Sequence, residues 1–147
     1  MSFQLSQFKL SDHAGEKMNP AGLVIGARIS ADQASYLEAG FAVKFVAAEA
    51  GDAPVIDEIG AGEGGDGVIL FNMQKSKRYA NEMVEVAMIG SIVTMVAATA
   101  INRGVDVAYD PSTGKVSGTT GAKIGKTLDI ASADGDIVRV LVNPAEA

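Results

Sequence analysis

The segment GTTGAKIGKT, Gly118 to Thr127, ends in the residues that close a phosphate-binding loop. A loop of the form G-x-x-x-x-G-K-[ST] wraps phosphates in backbone N–H groups while its Lys reaches them. Gly125, Lys126 and Thr127 supply that ending, but the glycine that should open the loop stands one residue late, at Gly121, with Thr120 in its place. A shortened loop cannot aim its amides at the same phosphates. The context differs as well. A helix should follow and add the positive end of its dipole, whereas LDIASADGDIVRVLVN reads as a short apolar piece, a turn and a strand. The segment is read as a surface turn entering a strand.

Other chemistry-bearing residues fare no better. GAGEGGDG, Gly60 to Gly67, has the glycines of a nucleotide loop. It lacks the G-x-G-x-x-G and the following helix of a dinucleotide site, and Glu63 and Asp66 would repel phosphate. Asp129, Asp134 and Asp136 do not keep the ligand spacing of a calcium loop, and Asp134-Gly135 reads as a hairpin turn. DPSTGKV, Asp110 to Val116, carries a turn signature; its Ser112, Thr113 and Lys115 have no third group to orient a nucleophile. The one His, His13, and the absence of Cys leave little for zinc or thiol chemistry. No catalytic, cofactor or metal residue is expected, and the chain does not read as an enzyme.

The bulk numbers narrow the partners. The chain has 147 residues, close to one domain. Its net charge of −6, from 18 acidic and 12 basic residues, disfavours a nucleic-acid coat or an anionic membrane surface. MSFQLSQFKLSDHAGEK lacks the basic flank and apolar core of a signal peptide. The longest apolar run, Val86 to Ile101, is interrupted by Gly90 and Ser91 and falls short of a membrane span.

What must hold these residues is a mainly β scaffold. Val, Ile and 17 Gly residues form short apolar runs divided by turns. Strands are expected within Ala21–Ser30 and at Phe41–Ala47, Val55–Ile59, Val68–Phe71, Met83–Ile89, Ile92–Ala97, Val105–Tyr109 and Ile137–Val142. Gly90-Ser91 marks a tight reversal or a sharp bend. One short helix is expected from Ser30, as N-cap, to Gly40. The spacing suggests a single β-sandwich or jelly roll, or a small β-barrel. Residues 1–30 form an N-terminal arm and first strand, and residues 31–147 the β-rich core. A faint internal echo pairs Leu37, Gly40, Val43 and Phe45 with Ile101, Gly104, Val107 and Tyr109. In each set a turn glycine feeds a strand, a hint of two similar β units.

Two features suit an interaction. The arm alternates Phe3 and Leu5, then, after a slip in phase, Phe8 and Leu10. QKSKRY, Gln74 to Tyr79, concentrates Lys75, Lys77 and Arg78 in an acidic chain. These seven residues are the candidate contacts with a partner or with another subunit.

From Asn81 to Val142 the order of signatures resembles the small β-rich decoration, or cement, proteins of tailed-phage capsids. A Glu-Val-x-Val strand (Glu85 to Ala87) precedes Gly90-Ser91, then a Gly-x-x-Val strand (Gly104 to Val107) and the turn Asp110 to Val116. Ile124 to Ala131 and Arg139 to Val142 complete the order, and Leu37 to Asn72 is similar in flavour. The resemblance implies a non-catalytic structural protein on the outer face of a phage head, made in the host cytoplasm. Its partner would be the major capsid protein, and it would work as a homo-oligomer, dimer or trimer, with no cofactor. The alternative is a β-rich tail or head-fibre base subunit.

Overall fold

The computed structural model describes residues 13–47, 53–60, 63–71, 76–118 and 122–143. Twelve strands are present: β1 (Val24–Ile29), β2 (Leu37–Glu38), β3 (Ala42–Phe45), β4 (Val55–Glu58), β5 (Gly67–Ile69), β6 (Lys77–Arg78), β7 (Met83–Ala87), β8 (Ile92–Val96), β9 (Asp106–Asp110), β10 (Lys115–Ser117), β11 (Ala122–Thr127) and β12 (Ile137–Val142). The mainly β expectation is met in its small-barrel form. Strands β1-β4-β3-β5-β7 close a barrel, β10-β9-β11-β12-β8 form a second five-stranded sheet, and β2-β6 form a two-stranded ribbon.

No helix occurs among the described residues, so the helix expected from Ser30 to Gly40 is absent. The reason is local and tertiary. The Ser30 N–H donates to Ile56 O at 2.8 Å, and the Ser30 hydroxyl accepts from the Asp32 N–H at 3.2 Å. Serine thus makes a side-chain turn instead of a helix cap. Leu37 is fully buried while Tyr36 is exposed, and so the apolar residues never repeat on one helical face. Gly40, expected past a helix end, instead turns into β3 with φ 87°.

The second sheet repeats the first barrel strand for strand. In the barrel, β1 pairs parallel with β4 through Ile29↔Ile56, and β4 pairs with β3 through Phe45↔Ile56. In the sheet, a parallel bridge Ala97↔Val116 joins the chain just after β8 to β10, and Val116 pairs with Tyr109. Further round, Val43↔Gly67, Ile69↔Val86 and Ile25↔Val86 correspond to Val107↔Gly125, Thr127↔Val140 and Val93↔Val140. The two circuits close in the same register. The single bridge curls the second sheet into a near-closed second barrel.

Turns repeat too. Gly40 N–H donates to Ile69 O and Gly104 N–H to Thr127 O, each at 2.8 Å. Among the described residues, six of the eight left-handed positions fall in pairs: Gly22 with Gly90, Gly40 with Gly104, and Asn81 with Gly135; Gly15 and Gly114 stand outside the pairing. Asn is the non-Gly residue best able to take that conformation. The Leu37/Ile101 echo is therefore the sequence trace of a structural duplication. Gly90-Ser91 is the bend between the barrels: β7 and β8 do not pair, and each belongs to a different sheet.

One buried cluster fills the first barrel with Ala27, Ile29, Leu37, Val43, Ile56, Ile69, Val84 and Val86. The other fills the second barrel and extends onto Ala42, Ile59, Val68 and Ala87 of the first. Ala42, Val68 and Ala87 each neighbour an interior residue, so strand alternation turns them outward, toward the second barrel. Tyr109 seals the junction. Its ring lies 6.0 Å from that of Phe41, and its hydroxyl donates to Glu58 Oε1 at 3.0 Å. Burial lifts the Glu58 carboxyl above its ordinary range, outweighing the hydrogen bond from Tyr109. Burial, and then the neighbouring Glu58, push the Tyr109 phenol up as well.

The junction does not propagate. The positions matching Ala42 and Val68 in the second barrel are Asp106 and Lys126. There Lys123 Nζ meets Asp106 Oδ2 at 2.9 Å. Phe45, which matches the fully buried Tyr109, is 41% exposed. Polar residues thus end a contact that could otherwise repeat head to tail.

Candidate interaction surface

The glycine-lysine-threonine ending lies inside β11, not at a turn entering a strand. Gly125 pairs with Val107 on one side and Val142 on the other. Thr127 is buried and its hydroxyl donates to Asp129 O at 2.9 Å. Lys126 reaches Asp106 at 4.0 Å. Among the described residues, no group of three or more His, Asp or Glu side chains could hold a metal ion. Asp110 organises the β9–β10 turn, accepting from the Ser112 amide and hydroxyl at 2.9 and 2.7 Å. Asp136 does the same before β12, accepting from Ser132 N at 2.8 Å and Ala133 N at 3.1 Å. These carboxylates hold turns. Asp129 serves the second barrel: burial opposes its ionisation, but the Arg139 guanidinium and amide hold its carboxyl below the usual range.

The duplication isolates what is not needed for a barrel. Three connections are longer in the first copy: 31–36 against 99–100, 46–55 against 110–115, and 71–78 against 129–132. The first and third lead into the β2–β6 ribbon, where Leu37 pairs with Arg78 and Glu38 with Lys77; its counterpart in the second barrel is a single bridge, Ile101↔Ala131. Insertions into a repeated scaffold gather on one face, often the binding face.

That face is aromatic and basic. Lys77 Nζ sits 4.5 Å from the centre of the Tyr36 ring, within cation–π range. Tyr36 and Tyr79 meet edge to face, 6.5 Å apart at 67°. Both rings are exposed, at 40% and 50%. The Tyr79 N–H donates to Glu82 Oε2 at 2.6 Å, which fixes the turn carrying the ring. Beside them, the His13 ring lies 4.1 Å from Phe71, and His13 Nε2 is 2.7 Å from Glu16 Oε1.

A groove runs from this face to the junction of the barrels. Its larger part, about 380 Å³, is bordered by His13, Tyr36, Phe41, Phe71, Arg78 and the turn Thr113–Lys115. A smaller part, about 250 Å³, continues past Phe71 and Arg78 to Met83 and Glu85.

Of the sequence-predicted contacts, Lys77 and Arg78 form β6 and stand on this face. Phe3, Leu5, Phe8, Leu10 and Lys75 lie outside the described residues. Sequence reasoning missed Tyr36, Phe71 and Tyr79. Tyr79 closes the QKSKRY cluster and could have been flagged there; Tyr36 joins it only through the ribbon.

No family model matches the chain. No curated protein matches it. A solved structure does: the head fibre gp8.5 N base of bacteriophage phi29, with a TM-score of 0.58 at 15% identity. The match covers 86% of this chain and 100% of that one, more than either barrel alone could supply. At that identity the likeness is one of fold, and it extends across the duplicated scaffold.

Proposed function

We propose that the chain is a non-catalytic structural protein of a phage virion, seated on the outside of the head as the base of an appendage. The observation that carries this reading is the fold likeness across both barrels to the base portion of a phage head fibre. A second reading, a decoration protein that cements the shell, draws on the run of signatures from Glu85 to Val142. That run maps onto β7 to β12.

The surface of Tyr36, Lys77, Arg78 and Tyr79 is the proposed contact with the major capsid protein. Exposed Tyr and Arg are the residue types that anchor protein interfaces. A homo-oligomer on a capsid symmetry axis would engage several capsid subunits at once and multiply weak contacts. An acidic chain of net charge −6 suits a protein partner better than nucleic acid or membrane.

The test is co-sedimentation with purified phage heads that lack the protein, with tails alongside. Pelleting with heads at a stoichiometry set by a few symmetry axes supports the appendage base. Pelleting at a stoichiometry matching the whole shell, with heads made resistant to heat or chelation, favours cementing. Pelleting with tails alone, or with neither, overturns both.

A further inference from the structure

We propose that the groove between the barrels is the seat of the chain's own N-terminal segment, residues 1–12, with Phe8 and Leu10 as the side chains that fill it. The path of the described chain points there. Residues 15–18 lie antiparallel along β8: Thr94 O accepts from the Gly15 N–H at 2.7 Å and Ile92 O from the Met18 N–H at 2.7 Å. Lys17 bridges Val93. In that register the chain upstream of Glu16 runs toward Val96, at the far end of β8. Val96 borders the groove, and so do His13 and Ala14.

The first described residue, His13, is pinned at the lip. Thr94 Oγ1 donates to His13 O at 3.0 Å, the Phe71 N–H donates to Gly15 O at 2.8 Å, and the His13 ring covers Phe71. An extended chain advances about 3.3–3.6 Å per residue, so Leu10 and Phe8 come within roughly 10–18 Å of His13. They are two apart, the spacing that puts two side chains on one face wherever a chain is extended. The groove offers that face Phe41, Leu70, Phe71 and Val96, and its volume of about 380 Å³ accepts organic groups of this size. The groove and the segment are also extras of the same kind. Tyr36 and Arg78, on its rim, belong to connections that are longer in the first barrel than in the second.

The chain contains no Trp and no Cys, so both reporters can be unique. In the full chain, Phe8→Trp should emit at blue-shifted wavelength and resist quenching by iodide, at all protein concentrations. Adding Phe71→Ala, or Thr113→Arg where Phe71→Ala lowers the melting temperature, should return the emission to that of an exposed indole. Leu10→Cys with Thr113→Cys should oxidise to a crosslink within one chain. A red-shifted, freely quenched indole in the otherwise unaltered chain overturns the assignment. So does a crosslink found only between chains, which would mean exchange of the segment between copies.

Discussion

Gly125 carries the sharpest quantitative prediction. A Cβ built on Gly125 would overlap the carbonyl oxygen of Leu141, with Leu141 C at 2.9 Å and Asn143 N at 3.1 Å. All three atoms are backbone, so no rotamer change can relieve the clash. The strand itself would have to move, and β11 is held on both sides, by Val107 and by Val142. Overpacking costs about 1–3 kcal/mol in most sites, and the lack of any yielding side chain places Gly125→Ala near 3 kcal/mol. For a chain of this length that is a fall of roughly 6–12 °C in Tm. Two controls separate crowding from glycine's backbone freedom. Gly104 has open space but φ 77°, so Gly104→Ala should cost about 1–2 kcal/mol. Gly64 has neither a crowding neighbour within 4 Å nor a positive φ, and Gly64→Ala should stay within about 0.5 kcal/mol of wild type. Thermal and urea unfolding followed by circular dichroism read all three. A Gly125→Ala chain that melts with Gly64→Ala would refute the close approach of β11 and β12.

Tyr109→Phe removes the hydrogen bond to the half-buried Glu58 carboxyl and should cost about 1–2 kcal/mol by urea unfolding. The Asp129 carboxyl is held low in the folded chain, so its pair with Arg139 contributes stability above the unfolded pKa of about 3.9 and loses it as pH falls through the lower folded value. Asp129→Asn should therefore be destabilised near neutral pH, by about 1–2 kcal/mol, with the gap to wild type narrowing on acidification. A gap that stays constant from pH 6 to about pH 2 would mean the pair contributes nothing through ionisation. Tyr36→Ala and Lys77→Glu alter exposed side chains and should leave the melting temperature within about 2 °C while weakening pelleting with phage heads. Full pelleting by both variants would remove this face from the capsid contact.

Much of the scaffold was legible because alternation is a local signal. β7, β8, β9 and β12 each carry apolar residues at every second position; the ranges of β7, β8 and β12 fall inside those read from sequence, and β9 runs one residue past its own, to Asp110. The strands that escaped notice are β2, β6 and β10, of two or three residues each, too short for any period to show. β11 hid behind its glycine and lysines, whose alternation means nothing until its two neighbours are known. The helix expected near Ser30 failed because a capping residue was credited without the apolar stripe that should follow it. The duplication showed at one point only. Gly40 and Gly104 sit in connections of matching length, whereas Gly67 and Gly125 are related across loops that differ. The surface around Tyr36 was illegible for a similar reason, since only the pairing of two distant loops brings its rings together.

The strand laid along β8 ahead of the first barrel has a consequence for the order in which the chain can fold. Every ladder of the first barrel closes between Val24 and Ala87, so that barrel is complete before the second half is needed. Domains generally form as units from the N-terminal side as synthesis proceeds. Residues 15–18, however, find all but one of their backbone partners in β8, the exception being the Phe71 N–H on Gly15 O, and they reach β8 across a long loop whose closure is entropically costly. The earliest residues made are thus among the last to be placed. A released chain ending shortly after Ala87 should hold a formed barrel whose residues 15–18 are still open to protease, and extension through β12 should protect them.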